Sequence, residues 1–403
     1  MEITRRAAFV TAGGLAAVGM AACSNAAPGP GVGGVPRSGG ASTAGSGGAV
    51  PAAGAAPSAG AGPTPPGPGR AAVTIVGHRG ACGYRPEHTV ESYSLAARFG
   101  ADAVDVDLCS TRDGHLVARH EPEIGGTTDV AAHTEFAARR TTKVIDSVPT
   151  TGWFTVDFTL AELKTLHAVE RIPATRPHNT LYDGRDEILT FDEVLDLLDD
   201  LSRGRGRRVG ILPEVKHATF HSSIGLPIEP TLVDTLRRRG LADDPQVIIQ
   251  SFETADLRAL RTQLGCPLLQ LVDVAGVAPA DLVAAGDRRT YDDLVNPAGL
   301  REIASYATWI GPTKERVITP TGTPTSLAAD ARAAGLKTMP FTFRNENEFL
   351  PPTLRRGEQP GQAPQAAPRS TYGDAFAEYA QYRALGVEGL FSDNSDTAIA
   401  AWS

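Results

Sequence analysis

Short apolar segments alternate with longer amphipathic segments along the chain from residue 71 onward. Runs rich in Val, Ile and Leu that are bounded by Gly, Pro or polar residues are typical of buried strands. Nine runs are predicted as strands: Val73–Gly77, Ala103–Leu108, Leu116–Ala118, Val209–Val215, Val247–Gln250, Leu268–Val272, Thr308–Gly311, Thr338–Phe343 and Gly389–Ser392.

Helices are predicted between most of these strands: Thr89–Phe99, Phe191–Leu201, Glu229–Arg239, Ala255–Leu264, Ser326–Ala334 and Tyr372–Leu385. Repeated strand–helix alternation indicates a parallel sheet with crossover helices, which places the chain in the α/β class. The number of strands suits a closed TIM (β/α)8 barrel spanning residues 71–403. Because nine candidates exceed the eight that a barrel needs, we expect one to be a hairpin strand or no strand at all.

The stretch from about residue 123 to 187 does not follow this alternation and holds few strand candidates. Trp153-Phe154 and the segment Asp157–Leu160 indicate a small insertion after the early strands, packed beside the barrel. Thr159 is expected to cap a helix that runs from Leu160 to His167.

Residues 1–23 have the pattern of an export signal. Arg5-Arg6 precede a stretch of small apolar residues that is too short and too Gly-rich for a good membrane span. The surrounding run resembles a twin-arginine signal, and Met20–Cys23 resembles a lipoprotein cleavage box with Cys23 as the lipidated residue. An ordinary signal peptide that contains a Cys is the alternative. We expect an exported protein, periplasmic or extracellular, with a membrane anchor through the lipid on Cys23.

Residues 24–70 are rich in Ala, Gly, Pro and Ser and are predicted to be a disordered tether, because this composition buries too little apolar surface to offset backbone entropy. Residues 71–403 carry 34 of the 38 basic and 45 of the 46 acidic side chains, which gives them a formal charge of −11. An acidic module is a poor candidate for neutralising nucleic-acid phosphates, so no nucleic-acid partner is expected.

Three further cysteines lie in this module: Cys82, Cys109 and Cys266. None has the paired spacing of a zinc site. A Cys82–Cys109 disulfide is one interpretation, and separate buried thiols are the preferred one.

Charged side chains recur where the predicted strands end. Residues i and i+2 of a strand point to the same face, and the carboxyl ends of barrel strands converge on one mouth. We therefore expect one pocket to hold His78, Arg79, Asp105, Asp107, His120, Glu214 and Lys216.

This combination suits cleavage of a phosphodiester. Three carboxylates can bind a hard cation such as Ca²⁺ or Mg²⁺, an Arg can bind two phosphate oxygens, and a Lys supplies a point charge. Two imidazoles can serve as general acid and general base. Each residue alone has a plainer interpretation as a solvated or paired charge, and the hypothesis depends on their recurrence at successive strand ends.

The ordered series of motifs resembles the glycerophosphodiester phosphodiesterase family from about Val73 to the C-terminus. The motifs are His78–Thr89, Gly100–Asp102, Asp105–Asp107, Thr111–Gly114, His120, Pro213–Lys216, Gln250–Phe252 and Gly389–Asp393. Pro86–Thr89, Asp157–Leu160 and Ile310–Pro312 are similar to the periplasmic branch of this family.

The resemblance implies a TIM-type barrel that hydrolyses small-molecule glycerophosphodiesters to glycerol 3-phosphate and an alcohol. It assigns acid–base catalysis to His78 and His120 and phosphate binding to Arg79 and Lys216. It assigns a divalent metal, Ca²⁺ ahead of Mg²⁺, to three ligands: Asp105, Asp107 and Glu214. Glu87 is expected to support the site from the loop.

Two positions depart from the family pattern. Asp105 stands where the family usually has Glu, which puts the metal preference in question. Glu121 stands where an Asp usually follows the second His, which bears on how His120 is oriented. The alternatives are a phospholipase D-type lipid phosphodiesterase on a related barrel and a surface lipoprotein that binds phosphodiesters without turnover.

Overall fold

A computed structural model describes residues 73–357 and 370–403 of the chain. The predicted export signal (1–23) and tether (24–70), including Cys23, lie outside the described residues. Among the described helices, none is long and apolar enough to cross a membrane.

Eleven strands are present in the described part of the chain. In order they are β1 Thr74–Gly77, β2 Ala103–Ser110, β3 Leu116–Ala118, β4 Thr141–Ile145, β5 Val148–Gly152, β6 Gly210–Val215, β7 Ile249–Ser251, β8 Leu268–Val272, β9 Trp309–Pro312, β10 Lys337–Thr338 and β11 Gly389–Ser392.

Thirteen α-helices accompany them over the same ranges. They are α1 Val90–Phe99, α2 Leu160–Leu163, α3 Phe191–Arg205, α4 Ala218–Ser223, α5 Glu229–Arg238, α6 Thr254–Arg261, α7 Ala280–Ala284, α8 Tyr291–Leu294, α9 Pro297–Ala304, α10 Lys314–Val317, α11 Leu327–Ala333, α12 Ala375–Ala384 and α13 Ser395–Trp402.

Eight parallel strands form the main sheet in the order β10-β9-β8-β7-β6-β2-β1-β11. Phe343 N donates to Phe391 O (2.9 Å) and Glu388 N to Thr338 O (3.0 Å), which brings the two ends of the sheet together. The result is the predicted TIM barrel, nearly closed. The ninth candidate, Leu116–Ala118, is the expected hairpin strand, because β3 pairs antiparallel with β2.

The alternation along β2 separates the core from the site. Val104 and Val106 pack in the layer between barrel and helices. Asp105 and Asp107 occupy the alternate positions and therefore point into the barrel. Leu212 is the register partner of Asp105 and belongs to the cluster that fills the interior.

Strand β10 is shorter than the predicted Thr338–Phe343. Pro340 has no N–H to donate to a neighbouring strand, so regular pairing stops before it. The residues that follow still line the barrel, because Phe341 N donates to Pro312 O (3.0 Å) and Phe391 N to Pro340 O (3.2 Å).

The insertion between β3 and α3 shares a small core with strands β2 and β3, in which Ile124, Phe136 and Phe158 pack with Cys109 and Val117. Its antiparallel hairpin β4–β5 was not predicted, because both strands are largely exposed and lack an apolar face. Thr159 caps α2 in a capping box with Glu162, as predicted. The helix ends four residues early, because the chain then turns to bridge with other segments of the insertion.

Cys82, Cys109 and Cys266 are buried free thiols. The preferred interpretation is confirmed, and the Cys82–Cys109 disulfide is not formed.

Candidate active site

Three carboxylates meet at the carboxyl ends of two neighbouring strands. Asp107 on β2 is the register partner of Glu214 on β6, and Asp105 lies two residues before Asp107 on the same face. All three are buried, and ligand oxygens from the three lie within 4.8 Å of one another. Gln250 on β7 extends the row, because it is the register partner of Glu214.

Crowding perturbs the ionisation of this cluster. Burial and the charges of the other two carboxylates raise the pKa of Asp105 well above its usual range. Burial raises the pKa of Glu214 to about 8, against the attraction of Lys216, whose Nζ lies 2.7 Å from Oε1. Burial also opposes ionisation of Asp107, yet His120, Lys216 and His88 hold its pKa well below the usual range.

This donor set fits a divalent cation. Three hard carboxylate ligands are those that Ca²⁺ and Mg²⁺ prefer, and a cation between them would relieve the repulsion that raises two of the three pKa values. Asp105 is also held in place, because Gln250 Nε2 donates to Oδ1 (2.5 Å) and Arg79 N to Oδ2 (3.1 Å).

The two histidines are each held through Nδ1 by a carboxylate. His78 Nδ1 lies 2.5 Å from Asp393 Oδ1, and His120 Nδ1 lies 2.5 Å from Glu121 Oε1. These contacts leave each Nε2 for the site. Glu121 therefore makes the contact with His120 Nδ1, although its side chain is one methylene longer than that of the Asp usual at this position.

Both rings favour the neutral state. Burial and the adjacent Arg79 lower the pKa of His78 to about 4, against the opposing effect of Asp393. Burial and Arg79 lower the pKa of His120 to about 3, against the effect of Glu121. His78 and His120 line one small cavity together with Asp105 and Glu214. The sequence-predicted pair is therefore brought together beside the acidic cluster.

Arg79 follows β1 in a left-handed conformation with φ of 52°. Its Nη1 donates to Glu87 Oε2 (2.9 Å), and its Nε lies 3.5 Å from Asp107 Oδ2. Gly80 has φ of 87°, and a Cβ there would lie 2.4 Å from Ser92 Oγ, so only Gly fits beside α1. This tight turn points the Arg79 side chain back across the barrel mouth.

Glu87, expected to support the site from the loop, accepts hydrogen bonds from Arg79 and from a second arginine that sequence analysis missed. Arg171, from the insertion, bonds Glu87 through Nε (2.7 Å) and Glu121 through Nη2 (2.7 Å). Arg176 similarly bonds Asp393 Oδ2 (2.6 Å) and Glu346 Oε1 (2.7 Å).

His88 was also missed. Its Nε2 lies 2.8 Å from Asp107 Oδ2, its Nδ1 lies 2.7 Å from Tyr93 Oη, and its φ is 56°. His88, Gln250 and Asp393 all lie within the motifs quoted above, so position in a motif could have singled them out. Arg171 and Arg176 lie in the irregular insertion, where no pattern marks them.

A second, much larger cavity of about 650 Å³ borders the site. His78 and Phe341 line both cavities, so the two spaces meet beside the His78 ring. The walls of the larger cavity come from the insertion on one side and from the segments after β9 and β10 on the other.

Known proteins are similar to this chain over most of the described residues. Residues 78–397 match the model of the glycerophosphoryl diester phosphodiesterase family. A glycerophosphodiester phosphodiesterase of Arabidopsis thaliana is 34% identical over 334 residues, covering 78% of this chain and 82% of that protein. One from Haemophilus influenzae is 28% identical over 256 residues, covering 59% of this chain and 68% of that protein.

Solved structures share the fold. A crystal structure from Silicibacter pomeroyi superposes with a TM-score of 0.56 at 18% identity, covering 82% of this chain and 92% of the other. An Oleispira antarctica phosphodiesterase, solved with its product sn-glycerol-3-phosphate, has a TM-score of 0.51 at 18% identity, covering 81% of this chain and 96% of the other. The family match and the extent of the similarity show that this chain belongs to the glycerophosphoryl diester phosphodiesterase family.

Proposed function

We propose that this protein hydrolyses glycerophosphodiesters to glycerol 3-phosphate and an alcohol, in a metal-dependent reaction with His78 and His120 as the acid–base pair. One observation carries the proposal. Two carboxylate-anchored histidines share a cavity with a buried carboxylate cluster of the kind that binds hard cations. The names of the relatives and the product bound to the Oleispira antarctica phosphodiesterase support the choice of substrate.

Both histidines line the small cavity, but of the two only His78 also lines the large one, and this difference suggests their roles. His78 borders the large cavity as well as the small one, so we assign it to protonate the departing alcohol oxygen. For this role the negative charge of a bound phosphodiester must raise its pKa above the value in the empty site, so that Nε2 carries a proton. His120, held neutral by burial, is suited to take the proton from the nucleophile, which is either water or a glycerol hydroxyl of the substrate that water later releases from the phosphorus. Arg79 and Lys216 would hold the phosphate oxygens through charge-assisted hydrogen bonds.

Asp105, Asp107 and Glu214 would hold the cation. When bound, the cation neutralises phosphate charge and stabilises the charged transition state. We favour Ca²⁺ over Mg²⁺, because Asp105 is one methylene shorter than the usual Glu and is held by Gln250 and Arg79 N. Ca²⁺ tolerates variable coordination, whereas Mg²⁺ demands near-ideal octahedral geometry.

The proposed activity predicts glycerol 3-phosphate release from glycerophosphocholine by the purified full chain with Ca²⁺ or Mg²⁺. His78→Ala and His120→Ala should each lower kcat roughly 10²–10⁴-fold, because each removes a proton-transfer group. Glu214→Ala should abolish the metal-dependent rate. Product can be measured with a coupled glycerol 3-phosphate assay.

His115→Ala is the matched control, because the His115 side chain is 55% exposed and paired only loosely with Asp113 at 4.0 Å. It should retain the wild-type rate. Absence of product from both glycerophosphocholine and glycerophosphoglycerol with every divalent ion would refute the proposed function. Undiminished turnover in His78→Ala would refute the site assignment alone.

The raised carboxylate pKa values predict a pH-dependent response to metal. Burial raises the pKa of Glu214 from its usual value of 4.5 to about 8. Its proton therefore stabilises the metal-free fold at low pH, and this stabilisation is lost as pH rises through about 8. A cation competes with that proton, so excess Ca²⁺ should raise Tm more at about pH 8.5 than at about pH 5.5.

Differential scanning fluorimetry at matched ionic strength measures the two shifts. Glu214→Gln should remove most of the Ca²⁺-dependent shift at the higher pH, because it removes both a ligand and the titrating group. Equal Tm shifts at both pH values would contradict the assignment of the metal to this cluster.

Export and lipid anchoring are proposed from residues 1–23 alone, and the motifs shared with the periplasmic branch support the same location. Full-length protein expressed in a bacterial host should incorporate a radioactive fatty acid and fractionate with membranes. Cys23→Ala should lose the label, whereas Cys266→Ala, which changes a buried thiol, should keep it. Label that persists in Cys23→Ala would contradict lipidation at this residue.

A further inference from the structure

The cavity beside His78 is large enough to hold more than a small alcohol. Its volume of about 650 Å³ lies within the range of pockets that enclose whole ligands, whereas the neighbouring acid–base cavity measures only about 20 Å³. Since His78 borders both, the alcohol part of a bound phosphodiester would extend from His78 into the larger space.

A buried ion pair lines this larger cavity and has no part in the chemistry proposed above. Lys314, the first residue of α10, lies with Nζ 2.8 Å from Glu378 Oε1 on α12. Lys314 and Glu378 are 6% and 2% exposed. Glu378 Oε2 has no hydrogen-bond partner among the described residues. Burial raises the pKa of Glu378, against the attraction of Lys314, as expected for a carboxylate that lacks part of its solvation.

A single main-chain hydrogen bond connects this ion pair to a residue that lines the acid–base cavity. Lys314 N donates to Phe341 O (2.8 Å), and Phe341 lines both cavities together with His78. Tyr382 Oη donates to Lys314 O (2.7 Å) and lines the same large cavity. A group that extends from His78 into the large cavity would therefore share that space with Lys314 and Glu378.

The charge of the cavity indicates what that group is. Six cationic and six carboxylate side chains line it among the described residues, so its formal charge is zero. A second phosphate or a lone ammonium group would gain little from such a balance. Lys314 Nζ carries three protons, and in the described residues it donates to two acceptors, Glu378 Oε1 and Phe349 O (both 2.8 Å). A ligand hydroxyl group can accept a hydrogen bond from Lys314 and donate one to Glu378 Oε2.

We propose that the large cavity is a leaving-group subsite for hydroxyl-rich alcohols, polyols or sugars, and that Lys314 and Glu378 determine this specificity. The inference rests on the proposed phosphodiesterase function. The subsite is expected to favour substrates whose alcohol carries hydroxyl groups over glycerophosphocholine. The quaternary ammonium group of choline has no N–H to donate and no lone pair to accept, so it cannot hydrogen-bond to Lys314 or Glu378.

A substrate series on the wild-type full chain tests the proposal without any variant. Glycerophosphoglycerol, glycerophosphoinositol, glycerophosphopropanol and glycerophosphocholine differ only in the alcohol. We expect kcat/KM at least about tenfold higher for the two hydroxyl-rich substrates than for the propanol and choline substrates, because unmet buried polar groups penalise the analogues. Equal or higher kcat/KM for propanol or choline would overturn the subsite.

Glu378→Gln tests the residue assignment. It should lower the ratio of kcat/KM for glycerophosphoglycerol over glycerophosphopropanol by about fivefold or more, because it removes a charged acceptor. Asp281→Asn is the matched control: Asp281 is a buried carboxylate that caps α6 and lies outside the cavity lining. It should leave the ratio unchanged.

If Glu378→Gln lowers kcat/KM equally for glycerophosphoglycerol and glycerophosphopropanol, the ion pair has only a structural role. That result would overturn the assignment. Absence of hydrolysis of any substrate by the wild-type chain would instead refute the phosphodiesterase function itself. The two failures are thus distinguishable.

Discussion

The mutual repulsion of three buried carboxylates is the constraint on which the barrel mouth depends. Asp105, Asp107 and Glu214 are brought together by the register of β2 with β6. Buried carboxylates at this separation are costly unless cations neutralise them. The surrounding cationic side chains and histidines therefore stabilise the folded barrel mouth, and a bound divalent ion would add to this stabilisation.

The neutralising groups form chains of alternating charge around the cluster. One chain runs through Asp107, Arg79, Glu87, Arg171, Glu121 and His120, and the other through His78, Asp393, Arg176 and Glu346. Each chain ends on one of the two proposed catalytic histidines. Arg171 and Arg176 come from the insertion, so this irregular stretch contacts the two carboxylates, Glu121 and Asp393, that hold the rings.

The sequence predicted the parts of this arrangement that follow from periodicity. The i, i+2 spacing of Asp105 and Asp107 placed both inside the barrel, and the strand–helix alternation indicated the eight parallel strands. Arg171 and Arg176 could not be predicted, because an insertion without a repeating pattern gives no information on where its side chains point. Hairpin β4–β5 was missed because its exposed strands lack the apolar alternation that identifies buried ones. Gln250 was quoted in a motif, but its hydrogen bond to Asp105 depends on the pairing of neighbouring strands.

The most direct test of this account is a calorimetric titration of Ca²⁺ into the metal-free full chain near neutral pH, repeated in buffers of different ionisation enthalpy. Raised pKa values at Asp105 and Glu214 mean that a cation must displace protons from the cluster. We expect one ion per chain, with proton release that falls in Glu214→Gln. Two results would contradict the proposed metal site. One is that Ca²⁺ does not bind, and the other is that it binds without releasing protons and equally well to the Glu214→Gln variant.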